Sequence, residues 1–424
     1  MSKSGAMQGF MAWMEKAVAP AMRSIANNAW ISGLQKSILK TLPLVLVGSL
    51  ITIYNVIRNF IPALPVLAPI SQHTFGLISI CMVFLVPYFI LEAKNNHKMK
   101  FVAGFTGIGL FFMMVSPEVT PYGHLFAFQN FGAGGMFVAI VAGLFTAFVM
   151  NLFRKLTFFK EDSVMPDFVR EWFDSMIPIF VVIFIGWLLV FQLNVNLYDG
   201  IVAAFSPLIG IAQSPVGMVL LYLIPTIFYS VGISGWVFQP ILAPIFLTAI
   251  TANADAVAAG LSAEFIFTAE TTTAFLSLGG RGVTIMLVFL MFFSRSRRLK
   301  ALGRASTVPT LLNINEPVVF GAVAWNPILM LPMWINSIVV PVITYIALST
   351  GLVGIPAEVF ALWYTPVFLS SWLVTGSITG LILVAINLAV SLAIWFPFYK
   401  LYEAQEVEKE QAKLKAAEEI AQPS

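Results

Sequence analysis

The chain has 424 residues, 59% of them hydrophobic and 10% charged, with a formal net charge of +3 and a mean hydropathy of +0.90. Soluble domains carry roughly 25% charged residues, so too few are present here to cover a water-facing surface. A soluble enzyme, a nucleic-acid binder and a disordered chain are thereby excluded, which leaves a polytopic all-α membrane protein.

In chain order, residues 1–35 read as a cytoplasmic segment. Phe10, Trp13, Met14 and Ala17 recur at helical spacing, as in an amphipathic helix lying on a membrane face. No compact apolar stretch with a small-residue cleavage site marks a signal sequence. Ten apolar runs near the length that crosses a bilayer follow, at 41–61, 74–93, 101–116, 133–153, 176–194, 216–232, 235–252, 275–294, 327–349 and 376–399. Residues 161–176 resemble the N-terminal amphipathic stretch, with Pro166 near a helix start, and the tail 400–424 is a charged, solvated cytoplasmic helix.

Lys and Arg fall in alternate connections: Lys3 to Lys40 before the first run, Lys94 to Lys100, Arg154 to Arg170, Arg295 to Arg304, and Lys400 to Lys415 after the last. The opposite connections, 62–73, 117–132, 195–215, 253–270 and 350–372, contain none. The positive-inside rule then places both termini in the cytoplasm. Arg58 and Arg281 stand apart, inside runs.

Residues 305–326, ASTVPTLLNINEPVVFGAVAWN, are apolar but interrupted by Pro309, Asn313, Asn315, Glu316 and Pro317. One more full crossing would put the basic tail outside, so the segment reads as a re-entrant hairpin. Broken backbone at membrane depth survives only where protein or a water-filled cavity covers it, and carriers bind substrate at such discontinuous helices.

Glu316 leads the candidate residues, because a carboxylate near the bilayer centre is costly and usually functional. Pro317 suits a first helical position, with Asn315 or Glu316 capping free N–H groups. Carboxylate and amides together offer the donors and acceptors that sugar hydroxyls need. At Gly279-Gly280-Arg281-Gly282 the glycines permit close backbone approach. Arg281 either pairs with Glu316, binds an anionic group or snorkels to the interface. Trp363, Tyr364 and Trp372 stack on sugar rings or belong to the interfacial aromatic belt. His73, His97 and His124 lie in connections and Cys81 is the single cysteine, so no metal site and no cofactor are expected.

The phrase LLNINEPVVFG followed by WNPILMLP resembles the enzyme IIC (EIIC) sugar permeases of the bacterial phosphotransferase system, in the lactose/cellobiose/diacetylchitobiose branch of the glucose superfamily. GGRGVT, SRSRRLKALGRAS, DSVMPDFVREWFDSMIP and LWYTP resemble further family segments in order. The resemblance implies about ten transmembrane helices plus re-entrant hairpins. Residues 36–175 would be a scaffold that forms a homodimer, and 176–399 a transport half, with its hairpin near 305–326, that moves across the inner membrane. A soluble EIIB, served by EIIA and HPr, would present a phosphocysteine and phosphorylate a sugar, a β-linked disaccharide by likeness to that branch. Glu316 would act catalytically at the reacting hydroxyl. Asn313, Asn315, Ser234, Gly280, Arg281, Gly282 and Trp363 would contribute to substrate binding.

Two positions depart from the family pattern. Ser234, in SVGISGWVFQP, occupies the place of the family's histidine, and Arg281 replaces a small polar residue. A serine does not take up a proton near neutral pH as imidazole does. An alternative is therefore an EIIC-like carrier that has lost phosphorylation and acts as a facilitator or ion-coupled transporter, with an anionic substrate held by Arg281 or an amino-bearing one held by Glu316.

Overall fold

The computed structural model describes residues 24–25, 27–115, 117–159 and 165–421, together with Gly9, Ala12, Trp13, Lys16 and Pro20. The amphipathic reading of Phe10, Met14 and Ala17, and the start of the 161–176 stretch, lie outside the described residues.

The main helices are α1 (Ala29–Phe60), α2 (Ile78–Ala93), α3 (Lys100–Met114), α4 (Met136–Leu152), α5 (Asp167–Trp187), α6 (Leu197–Gln213), α7 (Pro215–Ser230), α8 (Gln239–Ala258), α9 (Thr284–Phe292), α10 (Arg297–Leu311), α11 (Pro327–Ser349), α12 (Val367–Thr375) and α13 (Ile378–Ala421). Among the described residues seven helical stretches are long and apolar enough to cross a membrane, and α6 with α7, broken at Ser214, makes an eighth. A short antiparallel hairpin, Glu118–Thr120 with Gly123–Leu125, decorates the connection before α4.

Four boundaries differ from the sequence reading. Residues 29–40 belong to α1, which begins where the Asn28 side chain accepts from the Trp30 N–H. The connection 195–215 is mostly α6, whose start is fixed by Asn196 Oδ1 accepting the Asp199 N–H at 3.0 Å. The last span and the charged tail are one 44-residue helix. The run 275–294 is not continuous: it holds a wide helical turn, Thr272–Leu276, a loop, and then α9. With nine residues, α9 reaches only about 14 Å, half of a hydrocarbon core. Hydropathy does not reveal that break, because Leu278 and Val283 keep the loop apolar.

Two compact units are formed. One comprises residues 24–210 and 236–251; the other, apart from the first 23 residues, comprises 211–235 and 252–424. In the first, α2 is packed by α1, α3 and α4, with Met82, Val83, Val86 and Ile90 fully buried. A Cβ on Gly143 of α4 would lie 2.7 Å from Val86 Cβ, so only glycine lets these helices approach so closely, as is usual between helices in lipid.

In the second unit α7 and α13 pack on α11, and α9 packs on α10. The N-terminus of α10 is capped from α13. Glu403 Oε1 accepts from Ser294 Oγ and the Arg295 N–H, both at 2.8 Å. Glu410 accepts from Ser296 Oγ at 2.7 Å and from the N–H groups of Arg297 and Arg298 at 3.0 Å. Carboxylates at a helix N-terminus satisfy free donors and complement the helix dipole. Arg298 completes the tie, donating to Glu406 at 2.6 Å and to the Gly321 carbonyl at 2.9 Å. The segment that leads into the hairpin is thus anchored to the last helix.

Candidate functional site

The hairpin is broken at Asn313–Asn315, as its sequence says, whereas Pro309, also read as an interruption, lies inside α10. α10 stops at Leu311, Asn313 takes a left-handed conformation (φ 60°), and a single helical turn restarts at Glu316–Val318, passing into a wider turn at Val319–Val323. Asn326 then caps α11, its side chain accepting from Ile328 N–H. The expected capping by Asn315 or Glu316 is corrected. Asn315 holds the N-cap position, but no side chain caps the turn, and Pro317 is its second residue. The amide of Asn315 is used elsewhere.

Three loops of the second unit interlock around the two asparagines. Asn313 Oδ1 accepts the Gly279 N–H at 2.8 Å, and its Nδ2 donates to the carbonyls of Trp363 at 2.9 Å and Thr365 at 3.2 Å. Asn315 Nδ2 donates to the Arg281 carbonyl at 3.1 Å and to Thr284 Oγ1 at 3.0 Å, while its Oδ1 accepts from the Tyr229 hydroxyl at 3.0 Å. Both amides are buried, and each bonds through both its oxygen and its nitrogen. They therefore brace the loops from which the site is built. A Cβ on Gly280, at φ 99°, would stand 2.3 Å from Asn315 Cγ, so this glycine is demanded both by backbone conformation and by contact.

Gly282 faces Met333 of α11, and its carbonyl accepts from the Trp395 indole N–H at 3.2 Å. It belongs to packing. The Trp363 carbonyl is held by Asn313, while its ring is 39% exposed and meets Tyr364 edge-on at 5.6 Å. Ser234 is exposed on the turn after α7, and the neighbouring Gly235 lies against Arg281, whose Nε would be 3.0 Å from a Cβ there. Of the three alternatives read for Arg281, pairing with Glu316 is not formed: no ion pair joins them. Glu316 is exposed at the start of its helical turn, and its carboxylate makes no hydrogen bond or ion pair among the described residues. The amides of Asn313 and Asn315 are spent on the fold, whereas Glu316 presents a carboxylate able to accept hydroxyl protons.

Sequence reasoning missed three residues. Glu270 is 2% exposed, its Oε1 accepts the Phe360 N–H at 3.0 Å, and its Oε2 is buried without a partner. Asn253 donates to the Pro356 carbonyl at 2.9 Å. With Asn313, these two suspend the irregular stretch that carries Trp363. Glu270 was detectable as an acid within the apolar phrase FIFTAETTTAF; Asn253 and Tyr229 gave no signal. Among the described residues no group of three or more His, Cys, Asp or Glu is placed to hold a metal.

Residues 35–337 match the family model described as phosphotransferase system, EIIC. The chain belongs to that family. It is 28% identical to the lichenan permease IIC component of Bacillus subtilis, over 94% of each chain, and 28% identical to the cellobiose-specific EIIC component of Geobacillus stearothermophilus, over 96% and 97%. A lactose-specific EIICB component of Staphylococcus haemolyticus is 25% identical over 98% of this chain but 74% of its own length. The fold matches the crystal structure of ChbC, the IIC component from the N,N'-diacetylchitobiose-specific phosphotransferase system, with a TM-score of 0.83, 25% identity and coverage of 94% and 99%. This EIIC is therefore a multi-pass sugar permease that works with an EIIB partner, and the resemblance read from LLNINEPVVFG holds across the chain.

Proposed function

We propose that this EIIC binds a β-linked disaccharide at the interlocked loops and carries it across the bacterial inner membrane by an elevator-type movement of the half that holds them, as part of a homodimer. EIIB, resupplied by EIIA and HPr, then phosphorylates the sugar on the cytoplasmic side, where the positive-inside pattern puts both termini. The observation that carries this reading is Glu316, an exposed carboxylate without a side-chain hydrogen bond on a broken helix whose neighbouring asparagine amides are committed to the fold. Relatives named for lichenan and cellobiose support the substrate class. Glu316 accepts the proton of the attacking hydroxyl, which leaves one general base where Ser234 supplies none.

The test uses protein in liposomes with labelled cellobiose and phosphorylated EIIB. Glu316→Gln is expected to lower phosphorylation by about 10²–10⁴-fold, the usual cost of a lost general base, with normal insertion. Undiminished phosphorylation would remove Glu316 from that role. Ser234 favours the second reading, a carrier that no longer phosphorylates. Unmodified sugar entering regardless of EIIB would select it.

A further inference from the structure

Arg281 is half-buried in the Ser277–Val283 loop and finds little there to neutralise it. A guanidinium has five N–H donors. Here Nη1 alone reaches an acceptor, the Tyr222 carbonyl at 3.5 Å, beyond ordinary hydrogen-bond length. The Tyr222 ring lies 5.4 Å from Cζ, and Arg281 makes no ion pair with any described carboxylate. The root of the side chain is nevertheless firmly held. Its carbonyl accepts from Asn315, and Gly280 and Gly282, both at positive φ, flank it. The head rests against Gly235, next to Ser234. Tyr229, bonded to Asn315, stands within electrostatic reach of both Arg281 and Glu316. A fixed cation at membrane depth without counter-charge is costly and is retained where something pairs with it.

We propose that Arg281 anchors an oxyanion in this site, a carboxylate or phosphoryl group seated on the guanidinium beside Ser234–Gly235. The planar fork matches both groups with paired N–H···O bonds. This deepens the sugar-permease reading and rests on it for the rest of the ligand. The oxyanion has two sources. It is an acidic group of the disaccharide, or it is the phosphoryl group in transit. In the second case the S–P bond of the EIIB phosphocysteine breaks and an O–P bond to the sugar hydroxyl forms. The hydroxyl proton passes to Glu316, the thiolate stays on EIIB, and Arg281 neutralises the phosphoryl oxygens.

Thermal unfolding of the full chain in nanodiscs, titrated with inorganic phosphate, tests the anchor itself. Phosphate should raise the midpoint of the wild type, less so that of Arg281→Lys, which keeps the charge without the fork, and not that of Arg281→Ser. Equal responses in wild type and Arg281→Ser, or none in the wild type, overturn the proposal. The lysine variant serves alone if the serine variant does not fold, and a response equal to wild type then refutes the fork.

Fluorescence titration with cellobiose and with cellobiouronic acid identifies the source. An acidic substrate predicts that the acid binds about tenfold tighter than cellobiose, a charge-assisted bond's worth, with the preference gone in Arg281→Ser. A phosphoryl role predicts equal binding of both sugars, unchanged in Arg281→Ser, and phosphorylation lowered about 10²-fold. Arg281→Ser matching wild type in both respects overturns the proposal. Failure of both sugars to bind the wild type, with an intact phosphate response, refutes the β-linked-disaccharide reading and leaves the anion site standing.

Discussion

Around α2, Met82, Val83, Val86 and Ile90 are buried against groups as apolar as lipid, and a polar side chain such as Thr146 bonds back to its own helix, at the Ala142 carbonyl. Around Asn313 and Asn315, also buried, every hydrogen bond of the two side-chain amides joins segments distant in sequence, from Tyr229 to Thr365. The first region is held by close packing, the second by polar groups satisfying one another. Irregular backbone at membrane depth has no water to turn to. Loops of this kind must therefore supply their own donors and acceptors, and here the amides of Asn313 and Asn315 do so.

The contrast is most sharply tested at Asn313. Asn313→Ala removes the bonds to the Gly279 N–H and to the carbonyls of Trp363 and Thr365 and is expected to cost about 3 kcal/mol or more. Thr146→Val, which removes a bond within one helix, should cost under about 1 kcal/mol. Chemical or thermal unfolding in detergent measures both, and equal losses would break the distinction. Next comes Gly143→Val. It should destabilise by about 1–3 kcal/mol through overpacking against Val86 while leaving sugar affinity unchanged. A selective loss of sugar binding would show that the bundle and the site are not separable in this way.

Glu270 gives a subtler test. Glu270→Gln keeps an oxygen for the Phe360 N–H and should retain sugar affinity. Glu270→Leu leaves that N–H bare and should weaken affinity several-fold through the Trp363 loop, at about 1–3 kcal/mol in stability. Identical behaviour of the two would make the bond irrelevant.

The smallest effect concerns the cap on α10, beyond the apolar part of α13. Burial pushes the Glu403 carboxyl up, but Lys400, the Arg295 N–H and Ser294 outweigh it and hold it at about 2. A depressed folded value stabilises above the ordinary glutamate value of about 4.3 and ceases to do so as pH falls through about 2. Glu403→Gln should thus lower the melting midpoint from pH 8 to 5, with the gap to wild type narrowing only below about pH 4. A gap that closes between pH 7 and 5 would contradict the assignment.

The sequence by itself determined the membrane class, the course of most spans, the interrupted hairpin and its carboxylate. Each of these follows from local composition: apolar length, basic residues between spans, and Pro or Asn where a helix must stop. It also carried the family, because the hairpin phrase is specific. It did not reveal that 275–294 is broken, since the break lies at glycines in an otherwise apolar run, nor that 195–215 is helical. Only the tertiary structure decided which polar residues remain for a ligand. Asn313 and Asn315 read as binders in sequence, but their amides are consumed by Gly279, Thr284, Tyr229 and the Trp363 loop. Glu270 is tied to a backbone N–H ninety residues away in sequence, and Arg281 has no ion pair among the described residues. Hydrogen-bond satisfaction across such distances is a property of the folded chain, and no local pattern encodes it.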